Sequence, residues 1–196
     1  MTLPLRQRRR QETALQIQRA TLELAMPNGL EGVTTDEIAA AAGVSTRTFF
    51  NYYANKEAAA IGHPPGFDQA DMDALREGTA PLAADLKRLL DGHINRLAQD
   101  QAILRMVGKI LRSNEKARGI LDGFLTAERE ELTEVLCRRL GDRATAAALA
   151  GTATNAIGAA IFLWEREDDI TLGAALDIVW AGLMNASRLL VDSPDP

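Results

Sequence analysis

Apolar residues recur along this chain at helical spacing, and almost no stretch alternates in the way that a half-buried strand does. Segments rich in Ala, Leu, Glu and Arg dominate, and runs of alternating β-branched and polar residues are nearly absent. The pattern predicts an all-α chain. With 196 residues, the chain is long enough to bury a substantial core, either as one domain or as a small domain joined to a larger one.

The segment from Thr34 to Lys56 predicts two short helices joined by a tight turn. Thr34 and Glu37 form a capping box, in which each side chain satisfies a backbone N–H that the first helical turn leaves unpaired. Gly43 lies where a residue in the left-handed region ends a helix at little steric cost. Between them, the apolar stripe of the first helix consists of Ile38, Ala39 and Ala42.

The second helix of the pair has one apolar side and one polar side. Ser45 is placed to cap it, and Phe49 and Tyr53 are four residues apart on the side that we expect to face inward. The other side carries Thr46, Arg47, Phe50 and Asn51. Arginine can bridge O6 and N7 of guanine, and asparagine can bridge N6 and N7 of adenine. A polar helix face alone is usually only solvated, but two capped helices around a turn glycine favour a DNA-reading helix-turn-helix.

Asn55 is placed to cap a third short helix, in which Lys56 would point its ammonium group at a phosphate. The prolines of the stretch from Gly62 to Gly66 forbid a simple continuation. They predict a boundary between a DNA-binding domain, residues 1–63, and a helical effector-binding and dimerisation domain, residues 64–196. We expect Asp68 to Glu77 to be weakly helical and partly mobile, and Thr79 to Pro81 to start the next helix, with Pro81 at its first position. The remaining predicted helices are 81–98, 100–113, 115–140, 143–167 and 171–192.

The net charge of −5 would argue against a nucleic-acid partner if it were spread evenly. Residues 1–63 carry seven Lys or Arg against six Asp or Glu, whereas residues 64–196 carry 15 against 21. Four arginines near the start would either neutralise phosphates beside a groove or form only the solvated beginning of a helix. These are Arg6, Arg8, Arg9 and Arg10.

The sequence offers little for catalysis or metal binding. The single cysteine, Cys137, excludes an internal disulfide and a Cys-based zinc site, and no dinucleotide, P-loop, zincin or hydrolase motif occurs. His93 with Asp91 or Asp100 is the best catalytic candidate for an all-helical enzyme, and it is a weak one. We expect no enzyme activity, cofactor or metal. No apolar core follows the basic start as in a targeting sequence, so a cytoplasmic location is expected.

Ala144 to Trp164 is an uncharged run of 21 residues, which is long enough to span a bilayer. It is mostly Ala, Gly and Thr, and it lacks the dense Leu, Ile, Val and Phe that make insertion favourable. Its small residues instead allow a helix to approach a neighbour closely, which favours a protein interface over a membrane module. They are Ala147, Gly151, Gly158 and Ala159, together with Asn155.

The second predicted domain carries scattered methionine and aromatic residues, for which the simplest interpretation is core and interface packing. Collectively they also fit an apolar ligand pocket with a few polar anchors. The candidate effector-binding residues are Asn95, Arg96, Met106, Phe124, Asn155, Phe162 and Trp180.

The segment from Gln7 to His63 resembles the N-terminal domain of TetR-type transcriptional regulators, through the stretches NGLEGVTTDEIA and AAGVSTRTFFNYYANKE. Phe50 departs from the tyrosine common in the family, which removes a phenolic donor, and Tyr53 stands where phenylalanine is usual, so its hydroxyl is expected at the domain edge. The resemblance implies that eight residues face DNA. They are Thr35, Thr46, Arg47, Thr48, Phe50, Asn51, Tyr52 and Lys56.

The resemblance also implies a homodimer in which the last two helices pair with their copies in a four-helix interface. The two DNA-binding domains (heads) of such a dimer, about 34 to 36 Å apart, would match an inverted-repeat operator in double-stranded DNA. It further implies a small apolar or lipid-like effector that releases a repressor from DNA, and an acyl-CoA is one conceivable effector. A regulator of the same fold that acts as an activator, or without a small-molecule ligand, remains an alternative.

Overall fold

The computed structural model describes residues 4–78, 80–167 and 169–191, and every regular element in these ranges is helical. The all-α prediction is therefore confirmed. Thr79 and Asp192, which served above as helix bounds, lie outside the described residues. The ten α-helices are α1 Leu5–Asn28, α2 Thr35–Ala41, α3 Thr46–Tyr52, α4 Lys56–Ile61, α5 Gln69–Glu77, α6 Leu82–Leu97, α7 Gln101–Ser113, α8 Glu115–Leu140, α9 Arg143–Arg166 and α10 Leu172–Val191.

The predicted helices after residue 80 agree with α6 to α10 to within about one residue at each described end, because local capping residues mark these ends. Two details differ. Gln69–Glu77 is a regular helix rather than a weak one, because the Asp68 carboxylate accepts hydrogen bonds from the backbone N–H groups of Ala70 and Asp71. Pro81 is the N-cap of α6, and Leu82 takes the first helical position.

The first of two compact units consists of the described residues up to Pro64 together with Asp100–Phe124. It therefore includes α7 and the first part of α8 in addition to α1 to α4. Its core contains fully buried side chains from the first three helices, among them Ile17, Ile38 and Phe49. Ile110 of α7 and Ala117 of α8 belong to the same core, so α2 and α3 rest on a continuous apolar base.

The second compact unit consists of Pro65–Gln99 and the described residues from Leu125 onward. Within it, α10 packs against α9 and α6, and α5 packs against α6. Arg139 of α8 forms hydrogen bonds with both ends of the connection between α5 and α6. Its guanidinium donates to the Leu75 carbonyl at 2.8 Å and to the Ala80 carbonyl at 2.6 Å. It also donates to the buried Asp85 carboxylate at 2.8 Å. This pairing satisfies a carboxylate that would otherwise be costly to bury.

Helices α9 and α10 leave much of their apolar surface uncovered in the single chain. The stripe of small residues predicted on α9 is largely exposed, while its opposite side, with Ala150, Ala160 and Trp164, is buried. On α10, Ile178 is 55% exposed and Leu190 is 80% exposed. By length and composition alone both helices would be able to cross a membrane, which is weak support for such a role.

Candidate DNA-binding site

The capping box predicted at the start of α2 is present. The Glu37 carboxylate accepts from the Thr34 backbone N–H at 2.8 Å, and the Thr34 hydroxyl oxygen accepts from the Glu37 backbone N–H at 3.3 Å. The Thr34 backbone N–H and the Thr34 hydroxyl, which donates to the same carboxylate at 2.7 Å, stabilise its charged form and lower the pKa of Glu37. After α2 the chain turns at Gly43 with φ of +67°, a conformation that a side chain would strain. The turn between the two helices is thus set by local chemistry.

Helix α3 is fixed at its start by a cap and along its inner side by aromatic packing. The Ser45 hydroxyl oxygen accepts from the Thr48 backbone N–H at 3.0 Å. Phe49 is fully buried, and its ring centre lies 6.3 Å from that of the buried Tyr53. The prediction that these two side chains face inward is confirmed, and their burial holds the opposite side of α3 toward solvent.

The Tyr53 hydroxyl lies between α1 and the exposed His63, the last residue of the predicted DNA-binding domain. It donates to the Ala14 carbonyl at 3.1 Å and lies 3.2 Å from Nδ1 of His63, and burial raises the pKa of Tyr53 to about 12. A partner 39 residues away in the chain supplies the acceptor. The hydroxyl ties the end of α3 to α1 in the first unit, which phenylalanine could not do.

Arg47, Phe50 and Asn51 form the exposed face of α3. Phe50 is 53% exposed although it is aromatic, and its ring packs edge-on against Phe49 at 5.3 Å between centres. Neither Arg47 nor Asn51 makes a hydrogen bond to another described residue, so their polar groups are available for an external partner. An exposed arginine and asparagine one helical turn apart have the chemistry that reads base edges in a major groove.

The other predicted contact residues have partners within the first unit. The Thr46 hydroxyl donates to Asp36 at 2.6 Å, and the Thr48 hydroxyl is bonded to that of Ser45 at 2.8 Å. Thr35, at the start of α2, is half-buried. The Thr46 hydroxyl joins α3 to α2 and the Thr48 hydroxyl supports the cap of α3, so a contact of either with DNA would be made in addition to a structural role.

Lys56 is also engaged internally. Its ammonium group donates to the carbonyls of Glu31 and Val33 at 3.3 and 3.1 Å, and only a fifth of its side chain is exposed. It thereby satisfies carbonyls where the chain leaves the short turn before α2. The predicted phosphate contact by Lys56 stays a prediction.

The four arginines at the start of α1, called the basic arm below, are all exposed. They are Arg6, Arg8, Arg9 and Arg10. Arg8 forms an ion pair with Glu12 at 3.4 Å, and the guanidinium of Arg10 lies 5.6 Å from the ring centre of Tyr52. That distance is within the range of a cation–π contact. It places a positive charge beside the last residue of α3, within the first unit.

The seven candidate effector residues are divided between the two units. Met106 packs against the core of the first unit, and Phe124 belongs to that unit and is 44% exposed. The other five belong to the second unit, where three are exposed and two are partly buried. The exposed three are Asn95, Asn155 and Phe162, and the partly buried two are Arg96 and Trp180.

Sequence reasoning missed a buried polar cluster in the second unit, formed by His93, Arg96 and Glu128. Each side chain has a buried polar atom without a hydrogen-bond partner among the described residues, namely His93 Nδ1, Arg96 Nε and Glu128 Oε1. His93 and Glu128 are 35 positions apart on different helices, so no local pattern relates them. Of the two carboxylates considered as catalytic partners of His93, Asp91 pairs with Lys87 and Asp100 pairs with Arg19.

No set of three or more His, Cys, Asp or Glu side chains in the described ranges is arranged to hold a metal ion. Cys137 is partly buried on α8, where it serves as packing.

Two capped helices around a left-handed glycine, with an exposed Arg and Asn on the second, define a helix-turn-helix protein. Comparison with known proteins agrees. The family model described as "Bacterial regulatory proteins, tetR family" matches residues 17–58, which run from α1 into α4. The chain belongs to the TetR family of bacterial transcriptional regulators.

Two relatives extend the similarity beyond the matched segment. The chain is 32% identical over 152 residues to the HTH-type transcriptional regulator TcmR of Streptomyces glaucescens, a match that covers 70% of this chain and 64% of TcmR. This is less than two thirds of TcmR's length. The chain is also 28% identical over 200 residues to the transcriptional regulator MftR of Mycobacterium tuberculosis, a match that covers 90% of this chain and 93% of MftR.

Among solved structures, the transcriptional regulator FadR of Bacillus subtilis, in complex with stearoyl-CoA, has a similar fold. The TM-score is 0.54 at 22% sequence identity, and the match covers 85% of this chain and 95% of that chain. At this identity the likeness concerns the fold alone.

Proposed function

We propose that this protein is a homodimeric, ligand-responsive repressor that binds an inverted-repeat operator and is released by a small effector. The observation that carries the proposal is the exposed pair Arg47 and Asn51 on a capped helix whose other side is anchored by Phe49. An anchored helix holds two base-reading side chains at a defined spacing, which is what discrimination between base pairs requires.

We propose a role for each residue of the DNA-binding site. Arg47 and Asn51 read base edges, and the Phe50 ring offers an apolar contact to a thymine methyl group. Thr35, Thr46, Thr48, Tyr52 and Lys56 hold the phosphate backbone, and the basic arm adds charge beside Tyr52. These phosphate contacts set the register of the head on DNA without reading sequence.

The exposed apolar surface of α9 and α10 supports the homodimer. Phe162 is 57% exposed and Leu189 is 72% exposed in the single chain, and side chains of this size are usually covered when several occur together. Small residues on the exposed side of α9 allow close approach of a second copy. A two-fold dimer presents two identical heads, which explains why an inverted repeat is the expected operator.

The proposed effector acts by favouring one of two conformations of the dimer. It releases DNA only to the extent that it binds the conformation without operator more tightly. The similarity to a regulator solved with stearoyl-CoA supports an effector with an apolar body, and the large helical second unit supports its placement there.

Selection of bound sequences from random DNA, with purified full-length protein at physiological salt, tests the proposal. We expect enrichment of a palindromic site with two half-sites. If the selected pool shows no common sequence while the protein remains folded, the chain is not a sequence-specific regulator. A single unrepeated half-site would instead contradict the dimer.

A further inference from the structure

The cluster of His93, Arg96 and Glu128 lies inside the second unit and has no part in holding DNA in the proposal above. Side chains of His93 and Glu128 are 5% and 15% exposed. His93 Nδ1 and Glu128 Oε1 are 3.9 Å apart, too far for a hydrogen bond between them. Buried polar groups in proteins are almost always paired, so these two atoms require a partner.

The connection between residues 65 and 68 covers this cluster. The ring centre of Phe67 lies 4.9 Å from that of His93, and the guanidinium of Arg96 donates to the Gly66 carbonyl at 3.5 Å. The backbone of Phe67 favours the charged form of the Glu128 carboxylate, and the backbone of Gly66 favours the protonated form of the His93 ring. Gly66 is so close that a Cβ added there would lie 3.7 Å from Glu128 Oε1.

The charges around the cluster indicate which kind of partner it accepts. Glu131 of α8 disfavours the charged form of Glu128, and Arg96 favours it from α6. Arg96 is itself 3.7 Å from the Asp71 carboxylate of α5. With three carboxylates against one guanidinium, an anionic group would be repelled and a cation attracted.

The hydrogen-bonding pattern points in the same direction. Nδ1 of His93 has no hydrogen-bond partner among the described residues, and in the neutral tautomer that carries its hydrogen on Nε2 it is an acceptor. An ionised Glu128 Oε1 is a second acceptor. A donor atom about 2.8 Å from both His93 Nδ1 and Glu128 Oε1 would see the two acceptors at an angle of roughly 90°. Two N–H groups of an ammonium nitrogen reach this angle with modest bending of the hydrogen bonds. A hydroxyl group has only one hydrogen to donate.

We propose that His93 and Glu128 form a binding site for the primary ammonium group of a ligand with an apolar body, covered by the aromatic ring of Phe67. Its role in releasing DNA rests on the proposed ligand-responsive function, but binding itself does not. Arg96 Nε, one helical turn after His93, donates to an acceptor beside the amine. Glu128 supplies the counter-charge, and the ring face of Phe67 adds a cation–π contact.

Proton release gives the site a signature that a bridging water would not produce. Burial, with repulsion by Glu131, raises the pKa of Glu128 to about 7, so the carboxyl is largely protonated at pH 6.5. An ammonium ligand fixes the ionised form, and the proton leaves to solvent. His93 is neutral at this pH and releases no proton, because burial, and to a smaller extent the charge of Arg96, lower its pKa to about 4.

Calorimetric titration of the full-length protein with octylamine, octanol and octanoate tests the site. We expect octylamine to bind at least about tenfold more tightly than octanol and octanoate to bind not at all. At pH 6.5, in two buffers of different ionisation enthalpy, octylamine binding should release about 0.7 proton. Glu128→Gln should weaken octylamine at least about tenfold and abolish the release.

Glu134→Gln is the matched control, because this carboxylate is on the same helix but pairs with Arg143 at the surface and should leave octylamine binding unchanged. His93→Phe is a second variant that removes the acceptor and keeps a ring, in case Glu128→Gln does not fold. Octylamine affinity that is equal in the wild type and either folded variant, without proton release, would overturn the site. Operator binding is measured separately: its failure contradicts the proposed regulator, whereas failure of amine binding alone contradicts only the ammonium site.

Discussion

At the residue scale, the residues proposed to contact DNA fall into two groups, those without an internal partner and those that also hold the fold. Arg47 and Asn51 have no internal partner among the described residues, whereas Thr46, Thr48 and Lys56 do. A substitution at the first group should therefore alter DNA binding without altering stability. A substitution at the second group should alter both.

Arg47→Ala should weaken binding to the selected operator by about 1 to 3 kcal/mol and relax the preference at one base position, because a bidentate contact to guanine is lost. Thermal stability should not change. Binding is measured by titration with operator and random DNA, with Arg138→Ala as a control that removes one exposed positive charge from α8. An equal loss on operator and random DNA would show that Arg47 contacts phosphate only.

Lys56→Ala should weaken binding to all sequences and reduce the salt slope of log K by about 0.9, as expected for one lost phosphate contact. It should also destabilise the protein by about 1 kcal/mol, because the carbonyls of Glu31 and Val33 lose their donor. Binding at several salt concentrations and thermal unfolding separate the two effects. A lower melting temperature with an unchanged salt slope would assign Lys56 to structure alone.

Glu128→Gln should change how stability depends on pH. The folded pKa of about 7 lies above the ordinary value of 4.5, so protonated Glu128 contributes stability that is complete below pH 4.5 and is lost as the pH rises through 7. Glutamine does not titrate, so the variant does not lose stability in this way. Between pH 4.5 and 7 its free energy of unfolding should therefore rise relative to that of the wild type by on the order of 1–2 kcal/mol, allowing for solvent screening. The measurement is chemical unfolding between pH 4.5 and 8.

His93 provides the opposite slope and hence a control. Its folded pKa of about 4 lies below the ordinary 6.5, so neutral His93 contributes stability that is present above pH 6.5 and is lost as the pH falls through 4. His93→Gln should therefore lose less stability than wild type in acid. The same slope in both variants would mean that neither buried group controls the pH dependence.

At the element scale, capping chemistry defines the helix-turn-helix more than burial does. Both α2 and α3 are only seven residues long, and neither would be stable alone in water. Each begins at a side chain that accepts a backbone N–H, and they are joined by a glycine with positive φ. This is why the pair is recognisable from the chain alone.

Thr34→Ala should destabilise the protein by about 1 kcal/mol, because it removes one side of the capping box and leaves a backbone donor of α2 unpaired. Thr13→Ala is the control: the Thr13 hydroxyl donates to the Arg9 carbonyl inside α1, a bond that adds little to a helix. Thermal unfolding compares the two. If both variants melt at the wild-type temperature, the cap does not stabilise the head.

At the scale of the whole molecule, the proposed dimer depends on the exposed apolar side of α10. Ile178→Glu places a charge where the proposed copy would pack, and we expect a dimer to become a folded monomer because Ile178 is already 55% exposed in the single chain. Sedimentation velocity measures the change, and operator affinity should fall with it. Leu140→Glu, at the exposed end of α8, is the control and should leave the dimer intact.

Much of the fold was predictable from the sequence because its signals are local. Capping residues, glycine and proline positions and apolar periodicity act within a few residues of one another, so the helices from α6 onward and the capped pair agree closely with prediction. Local signals do not predict a hydrogen bond or packing contact between side chains and segments that are far apart in the chain. Tyr53 donates to a carbonyl on α1, 39 residues away, and Met106 packs against the core of the first unit.

By itself, the sequence determined that this chain is helical and that α2 and α3 form a helix-turn-helix with Arg47 and Asn51 on its outer side, since each of these depends on spacing within one or two turns. The folded chain places Lys56 against backbone carbonyls and brings His93 to within 3.9 Å of Glu128, and neither arrangement could be read from local spacing. The physical reason is that burial and partner choice arise from packing between distant segments. Such packing determines which polar groups lose water and must find another partner.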